Sequence, residues 1–209
     1  MTELRHVLWI GGGTAAGKSS IATALAERYG LARYNYDWHD SRDHSERTRP
    51  ERHPVRTAFL AMSLDDQWVN RTPSQMAAED LAEFAERFEM VLEDLAALPA
   101  DRVIADGFGL LPELVAKVAA DRRQAVFVLP TPEFRDWALA QRGWIAREGT
   151  SNPVRARANR LARDALLTDH VRQRAKALGF AAIEVDGTRS LAEVTAEVET
   201  LFSPLLVSD

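Results

Sequence analysis

The sequence of 209 residues contains no cysteine. Disulfide bridges, cysteine-ligated zinc sites, iron–sulfur clusters and thiol nucleophiles are therefore excluded together. Lysine is also scarce, because only Lys18, Lys117 and Lys176 are present among 26 basic side chains and the others are all arginine. A coding bias is the simplest interpretation of this preference, but it makes Lys18, which follows a glycine-rich stretch, stand out.

Long apolar runs and an excess of positive charge are missing as well. No run approaches the roughly 18 residues that a membrane span needs, and the first five residues do not begin a signal peptide. The formal net charge of −5 argues against a protein that binds nucleic acids through a basic surface. We therefore expect a soluble, cytoplasmic protein whose partner is neither a membrane nor a nucleic acid.

Short apolar runs alternate with helical patterns along the chain. The predicted strands are 6–10, 34–36, 102–106, 125–129 and 181–185. The predicted helices are 19–29, 59–69, 73–98, 112–120, one that starts at 132, 159–178 and 190–202. Residues 38–56 and 148–157 are predicted as loops, the first of them solvated or facing a ligand. The pattern indicates one α/β domain, 1–209, with a parallel sheet between helices.

A glycine-rich segment joins the first predicted strand to the first helix. It matches the phosphate-binding pattern G-x-x-x-x-G-K-[S/T] over Gly12, Gly13, Thr14, Ala15, Ala16, Gly17, Lys18 and Ser19. Small residues let the backbone curl around a phosphate, and the following helix adds the positive end of its dipole. We expect this loop and Ser20 to hold the triphosphate of ATP. Lys18 would contact the β- and γ-phosphates, and Ser19 would bind Mg²⁺.

A second segment narrows the class of nucleotide protein. No N-K-x-D segment that would specify guanine is present, so GTP is disfavoured. The stretch from Asp186 to Val194, D-G-T-R-S-L-A-E-V, resembles the D-G-T-x-[P/S]-x-x-E-V segment of nucleoside monophosphate kinases. The order of elements resembles the wider group of P-loop small-molecule kinases that contains shikimate kinase, uridine kinase and chloramphenicol phosphotransferase. No nucleoside-monophosphate signature is found, so a nucleotide acceptor is not indicated.

The resemblance implies a fold and a layout. The fold is the three-layer P-loop NTPase fold, a five-stranded parallel sheet of order 2-3-1-4-5 with helices on both faces. An acceptor-binding region would span about 37–100, and an arginine-bearing lid would span about 142–163. Thr188 and Arg189, in the loop after the last strand, would lie beside the adenine base.

Asp37 follows the second predicted strand, and ligands of parallel sheets bind at the carboxyl ends of the strands. A carboxylate there can accept the proton of an acceptor hydroxyl as the γ-phosphoryl group transfers, so Asp37 is the candidate general base. The alternative is an Asp that caps a helix. Trp38 and His39 would wall a ring-shaped acceptor or belong to the core. Arg56 would bind an anionic group of the acceptor or lie on a solvated surface. The histidines of this region do not have the spacing of a common metal site.

Acidic and basic side chains complete the predicted site. Asp106 and Gly107 end the third strand, where Asp106 would face Ser19 across Mg²⁺ or orient the acceptor. The arginines after the fourth strand would stabilise the γ-phosphoryl charge, and several are available: Arg142, Arg147, Arg155, Arg157, Arg160 and Arg163. We expect Arg157 first in this role and Arg142 second, and Arg142 could also stack on adenine.

The sequence therefore predicts an ATP- and Mg²⁺-dependent phosphotransferase that acts on a hydroxyl of a small molecule. Two alternatives stay open. One is a regulatory nucleotide-binding module with slow ATPase activity and a protein partner. The other is a kinase of polynucleotide ends or nucleotide sugars. The sequence leaves open whether the chain forms a homodimer.

Overall fold

The computed structural model describes residues 3–142 and 149–206. Its centre is a parallel sheet in the order β2-β3-β1-β4-β5, which confirms the predicted fold class and strand order. The strands are β1 (Val7–Gly12), β2 (Ala32–Asn35), β3 (Val103–Asp106), β4 (Ala125–Pro130) and β5 (Ala181–Val185).

Helices cover both faces of the sheet. In the described part of the chain they are α1 (Lys18–Tyr29), α2 (Tyr36–Asp40), α3 (Asp43–Arg47), α4 (Pro54–Ala61), α5 (Leu64–Trp68), α6 (Pro73–Ala97), α7 (Pro112–Val115), α8 (Pro132–Gln141), α9 (Pro153–Leu178) and α10 (Leu191–Leu206). None of these helices has the length and apolar character that crossing a bilayer requires.

The central strands are apolar throughout because both of their faces are covered. β1, β3 and β4 are buried at every position, whereas the edge strand β5 alternates between buried and exposed residues. Trp9 belongs to a core with α6, α7 and α9, and Ile10 belongs to a core with α1 and α10 on the opposite face. Because Trp9 and Ile10 face opposite cores, β1 pairs with β3 in the register that aligns Ile10 with Asp106. The carboxyl ends of the two strands therefore lie side by side.

The prediction of a loop over 38–56 is wrong. The segment contains most of α2, all of α3 and the start of α4. These short helices dock on α6 through charged rather than aliphatic side chains, which the hydrophobic pattern does not detect. Arg47 pairs with Glu93 and Asp94 of α6, and His53 contacts Glu89.

Several helix boundaries also differ from the predictions. The helix predicted over 59–69 is interrupted, because Ser63 caps a new helix by accepting a hydrogen bond from the Asp66 N–H at 3.1 Å. The helix predicted over 112–120 ends at Val115. α9 begins at Pro153, six residues before the predicted start and inside the predicted loop, where the side chain of Asn152 caps it. The predicted acceptor-binding region thus holds α2 to α6, and the predicted lid region holds the start of α9.

Candidate active site

The glycine-rich segment curls between β1 and α1. Gly12 has a φ of 126°, and a Cβ there would lie 2.0 Å from the carbonyl oxygen of Val128. Glycine is therefore required where the loop leaves the sheet. Ala15 and Gly17 also adopt positive φ angles, and α1 starts directly afterwards at Lys18. This turn presents the N-terminus of a 12-residue helix at the carboxyl edge of the sheet.

Lys18 lies across the mouth of this loop. Its side chain is buried, and Nζ donates a hydrogen bond to the carbonyl oxygen of Gly13 at 2.6 Å. Burial lowers the pKa of Lys18, and the nearby carboxylates of Asp37, Asp106 and Asp164 oppose that shift. The ammonium group is thus held inside the loop among acids that favour its charged form.

A polar cluster links the phosphate-binding loop to the edge of the sheet. Ser19 Oγ donates a hydrogen bond to Oδ2 of the fully buried Asp106 at 2.6 Å. Asn35 Nδ2 contacts the same carboxylate oxygen at 2.7 Å, and Arg33 Nε contacts Oδ1 at 3.1 Å. The structure brings together the predicted pair Ser19 and Asp106. Arg33 and Asn35, which were not predicted as site residues, also contact Asp106. Their alternation on β2 beside Asp106 was the sequence signal that could have found them.

The Ser19 and Asp106 oxygens suit a hard divalent cation. Mg²⁺ takes oxygen ligands and is usually held by one or two protein groups together with substrate phosphates. Within 3–142 and 149–206, no group of three or more acidic or histidine side chains is arranged to hold a metal alone. The donor set therefore fits Mg²⁺ that is shared with a nucleotide.

Asp37 lies in the first turn of α2 at the end of β2. Its Oδ1 accepts a hydrogen bond from the Phe108 N–H at 2.9 Å, which fixes the carboxylate against the segment that follows β3. Gly107 makes this approach possible, because a Cβ there would lie 2.4 Å from the Cβ of Tyr36. Gly107, which was predicted as part of the site, therefore has a packing role beneath α2.

A cavity of about 610 Å³ opens beside the phosphate-binding loop. One wall is the loop itself, from Thr14 to Ser20, which includes Lys18 and Ser19. The opposite wall comes from α2, α4, α5, α6 and α9, and its predicted members are Asp37, Arg56, Arg160 and Arg163. Arg142 also lines this cavity. The cavity is in the size range of small-molecule sites.

Other predicted residues do not reach this cavity. Trp38 is 46% exposed and lies under the guanidinium of Arg42. His39 stacks on Tyr34 with ring centroids 4.6 Å apart and contacts Asp43. Arg157 is exposed on α9 and lines no part of the cavity.

A second cavity of about 280 Å³ continues on the other side of the loop. Its walls are mainly apolar and come from α8, the end of β5 and the start of α10, with Phe134, Trp137 and Leu191 among them. Arg142 lines both cavities, and Arg189 lines the second. Thr188 does not line it, and its N–H and hydroxyl both bond to Asp186. Residues 143–148, with the predicted Arg147, lie outside the described residues.

Comparisons with known proteins identify the fold. No family model and no curated protein matches the sequence. The chain has the fold of the P-loop small-molecule kinases. A shikimate kinase from Acinetobacter baumannii, solved with shikimate, is 15% identical with a TM-score of 0.50, over 98% of this chain and 97% of that one. A deoxyadenosine kinase from M. mycoides, solved with dATP, is 12% identical with a TM-score of 0.49, over 97% of this chain and 100% of that one.

The cavity also contains residues that sequence reasoning missed. Asp80, Glu83, Phe84 and Arg87 all line it from α6. Their spacing of i, i+3, i+4 and i+7 places them on one helical face, within a helix that otherwise packs on the core through apolar residues. Charged residues on the buried face of a long helix were the signal that could have found them.

Proposed function

We propose that this protein transfers the γ-phosphoryl group of ATP to a hydroxyl of a small molecule. The observation that carries the proposal is one cavity with two chemically different walls. The phosphate-binding loop with Lys18 forms one wall, and Asp37 with the charged face of α6 forms the other. Phosphoryl transfer needs this arrangement, since the donor phosphate and the acceptor must meet in line.

The triphosphate would lie on the loop and on the N-terminus of α1. Residues Gly12 to Ser20 would supply backbone N–H groups, and Lys18 would exchange its contact with Gly13 for the β- and γ-phosphates. The adenine base would enter the second cavity, where Phe134, Trp137 and Leu191 offer apolar contacts. Arg189, which lines this cavity, would border the base from the loop after β5.

Ser19 and Asp106 would hold Mg²⁺ together with the nucleotide. The ion would neutralise phosphate charge when bound. Asn35 and Arg33 hold the Asp106 carboxylate in place, which keeps its oxygens beside the loop.

Asp37 would act as the general base. Phe108 N–H fixes one carboxylate oxygen, which leaves the other for the acceptor hydroxyl. As the acceptor oxygen forms a bond to the γ-phosphorus, the bond between that phosphorus and the bridging oxygen of ADP breaks. The hydroxyl proton passes to Asp37.

Arg142 would stabilise the transferring charge. It lines both cavities, so it lies between the sites proposed for the base and for the γ-phosphate. Arg157 is exposed outside the cavity, and we therefore assign this role to Arg142 instead of Arg157.

Acceptor-dependent ADP release tests the proposal against a regulatory ATPase. The wild type is incubated with ATP and Mg²⁺, with and without a metabolite extract, alongside Lys18→Ala and the matched control Lys117→Ala on an exposed turn. We expect the extract to accelerate ADP release by the wild type and by Lys117→Ala but not by Lys18→Ala. Equal rates with and without extract would favour a module that acts on a protein partner.

A further inference from the structure

The arginines on the acceptor side of the cavity are already ion-paired. Arg56 of α4 donates a hydrogen bond to Glu83 at 3.0 Å. Arg87 of α6 contacts the same Glu83 oxygen at 3.3 Å and also pairs with Asp40. Glu83 and Arg87 are at most 2% exposed. This wall is therefore a network of paired charges that are buried or partly buried.

The arginines on the α9 side of the cavity are also held by neighbouring side chains. Arg163 lines the cavity, pairs with Asp80 of α6 and lies 2.8 Å from the carboxylate of Asp164. Arg160 lies over the ring of Trp68, with 5.7 Å to the ring centroid. The three guanidinium groups of Arg56, Arg87 and Arg163 each have a carboxylate partner.

Paired arginines do not suit an anionic acceptor. A carboxylate or phosphate group is bound through guanidinium groups whose charge is available for it. To bind such a group here, Arg56 or Arg87 would have to leave Glu83, and that buried carboxylate would then lose one of its two guanidinium partners beside a second anion. The charge pattern therefore selects against acidic acceptors.

The same wall offers unused hydrogen-bonding atoms. Glu83 Oε1 and the Nε atoms of Arg56 and Arg87 are buried and have no hydrogen-bond partner in the described part of the chain. Buried polar groups are costly when unpaired, so these atoms mark a place for polar groups of a ligand. One acceptor next to two donors suits hydroxyl groups, because a hydroxyl both donates and accepts.

Aromatic side chains complete the wall. Phe84 and Phe108 pack edge to face with centroids 5.5 Å apart, and Phe59 and Trp68 form a second such pair at 6.2 Å. All four line the cavity. Flat apolar surfaces beside hydrogen-bonding groups suit a ring that carries hydroxyls and exposes C–H faces.

We propose that the acceptor is an uncharged ring compound with several hydroxyl groups, of sugar or nucleoside chemistry, and that Glu83 positions it by accepting a hydrogen bond from a hydroxyl that is not phosphorylated. This inference rests on the proposed phosphotransferase function. It assigns the specificity to the α6 wall and leaves the chemical step to Asp37.

Charge fractionation of the acceptors tests the inference. A metabolite extract is divided by ion exchange into anionic, neutral and cationic pools, and label transfer from γ-labelled ATP is measured in each. We expect the labelled organic product to form in the neutral pool. Product that forms only in the anionic or the cationic pool overturns the inference while the kinase function stands. Product in none of the pools overturns the proposed function and this inference with it.

Substitution of Glu83 then tests its role with the labelled acceptor. We expect Glu83→Gln to raise the acceptor KM by about 10-fold to 100-fold, as for the loss of a hydrogen bond to a charged group, with a much smaller effect on the ATP KM. Glu93→Gln is the matched control, because Glu93 lies on the same helix in an exposed ion pair. Circular dichroism and the ATP KM confirm that both variants are folded. An unchanged acceptor KM in a folded Glu83→Gln variant removes Glu83 from this role.

Discussion

At the scale of single residues, the site is a set of charges held in place by their neighbours. Lys18 occupies the loop through one backbone contact, and Asp106 is held by Ser19, Asn35 and Arg33. The motif alone predicted Lys18 and Ser19, and the strand end predicted Asp106. Arg33 and Asn35 were missed, although they alternate on β2 and the expected strand order places β2 beside β3.

Replacement of Lys18 tests the phosphate-binding loop. We expect Lys18→Ala to abolish phosphoryl transfer, because the charge that would bind the β- and γ-phosphates is lost. The fold should persist, since Lys18 makes only one hydrogen bond to the loop in the described structure. Steady-state rates and circular dichroism check both expectations. Turnover near the wild-type rate would contradict the assigned role.

Replacement of Asp37 separates chemistry from binding. We expect Asp37→Asn to lower kcat by about 10²-fold to 10⁴-fold, because the amide cannot take the acceptor proton. The change keeps the shape of the side chain and its contact with Phe108 N–H, so the ATP affinity should change little. Nucleotide titration and steady-state kinetics measure the two quantities. An unchanged kcat would remove Asp37 from the role of base.

At the scale of elements, α6 is the helix on which the proposed class of acceptor most depends. One part of the helix packs on the core through Phe88, Val91 and Leu95, and another lines the cavity with charged residues. The length and the start of α6 were predictable from the Thr72 cap and its apolar stripe. The predicted acceptor-binding region includes α6, but its charged wall was not predicted, because the ion-pair partners of these residues lie on α2, α4 and α9.

The ion pair between α6 and α9 is expected to stabilise the fold. Arg163 and Asp80 are both largely buried, so Arg163→Met should lower the free energy of unfolding by about 3 kcal/mol, because it leaves a buried carboxylate unpaired. Arg172→Met, which removes exposed pairs with Asp169 and Glu184, should cost at most about 1 kcal/mol. Urea unfolding measures both values. Equal losses of unfolding free energy would show that the α6–α9 pair stabilises the fold no more than an exposed ion pair.

Titration of Glu83 gives the stability a recognisable pH dependence. Burial raises the pKa of Glu83 from 4.5 to about 7, against the opposing effect of Arg56. The folded state therefore binds this proton more tightly than the unfolded chain, and the contribution of Glu83 to stability falls as the pH rises from about 4.5 to 7. Tyr36, Arg71, Asp80, Glu86 and Arg163 also act on this group.

Comparison of Glu83→Gln with the wild type isolates the effect of Glu83 ionisation on the free energy of unfolding. The variant cannot ionise at this position. Its free energy of unfolding should therefore rise relative to that of the wild type between pH 5 and pH 8. Urea unfolding at both pH values gives the difference, and Glu93→Gln serves as the control. A difference that stays constant with pH would show that Glu83 does not titrate in this range.

At the scale of the whole molecule, the sheet was the most predictable part. Buried parallel strands are continuous apolar runs, and the loop after β1 has a strict sequence pattern, so both were visible in the sequence. Residues 38–56 were predicted wrongly because their helices dock through ion pairs such as Arg47–Asp94. The α6 residues of the acceptor wall were missed for a related reason, since this wall forms only when five separate helices meet.

The central claim is that the γ-phosphoryl group of ATP moves to a hydroxyl of a small molecule. The most direct test follows γ-labelled ATP with Mg²⁺ and an acceptor pool and compares the label in organic product with the ADP formed. The account predicts one labelled phosphoester per ADP with the wild type and none with Lys18→Ala. Label that appears only as inorganic phosphate, at the same rate with and without acceptor, would contradict it.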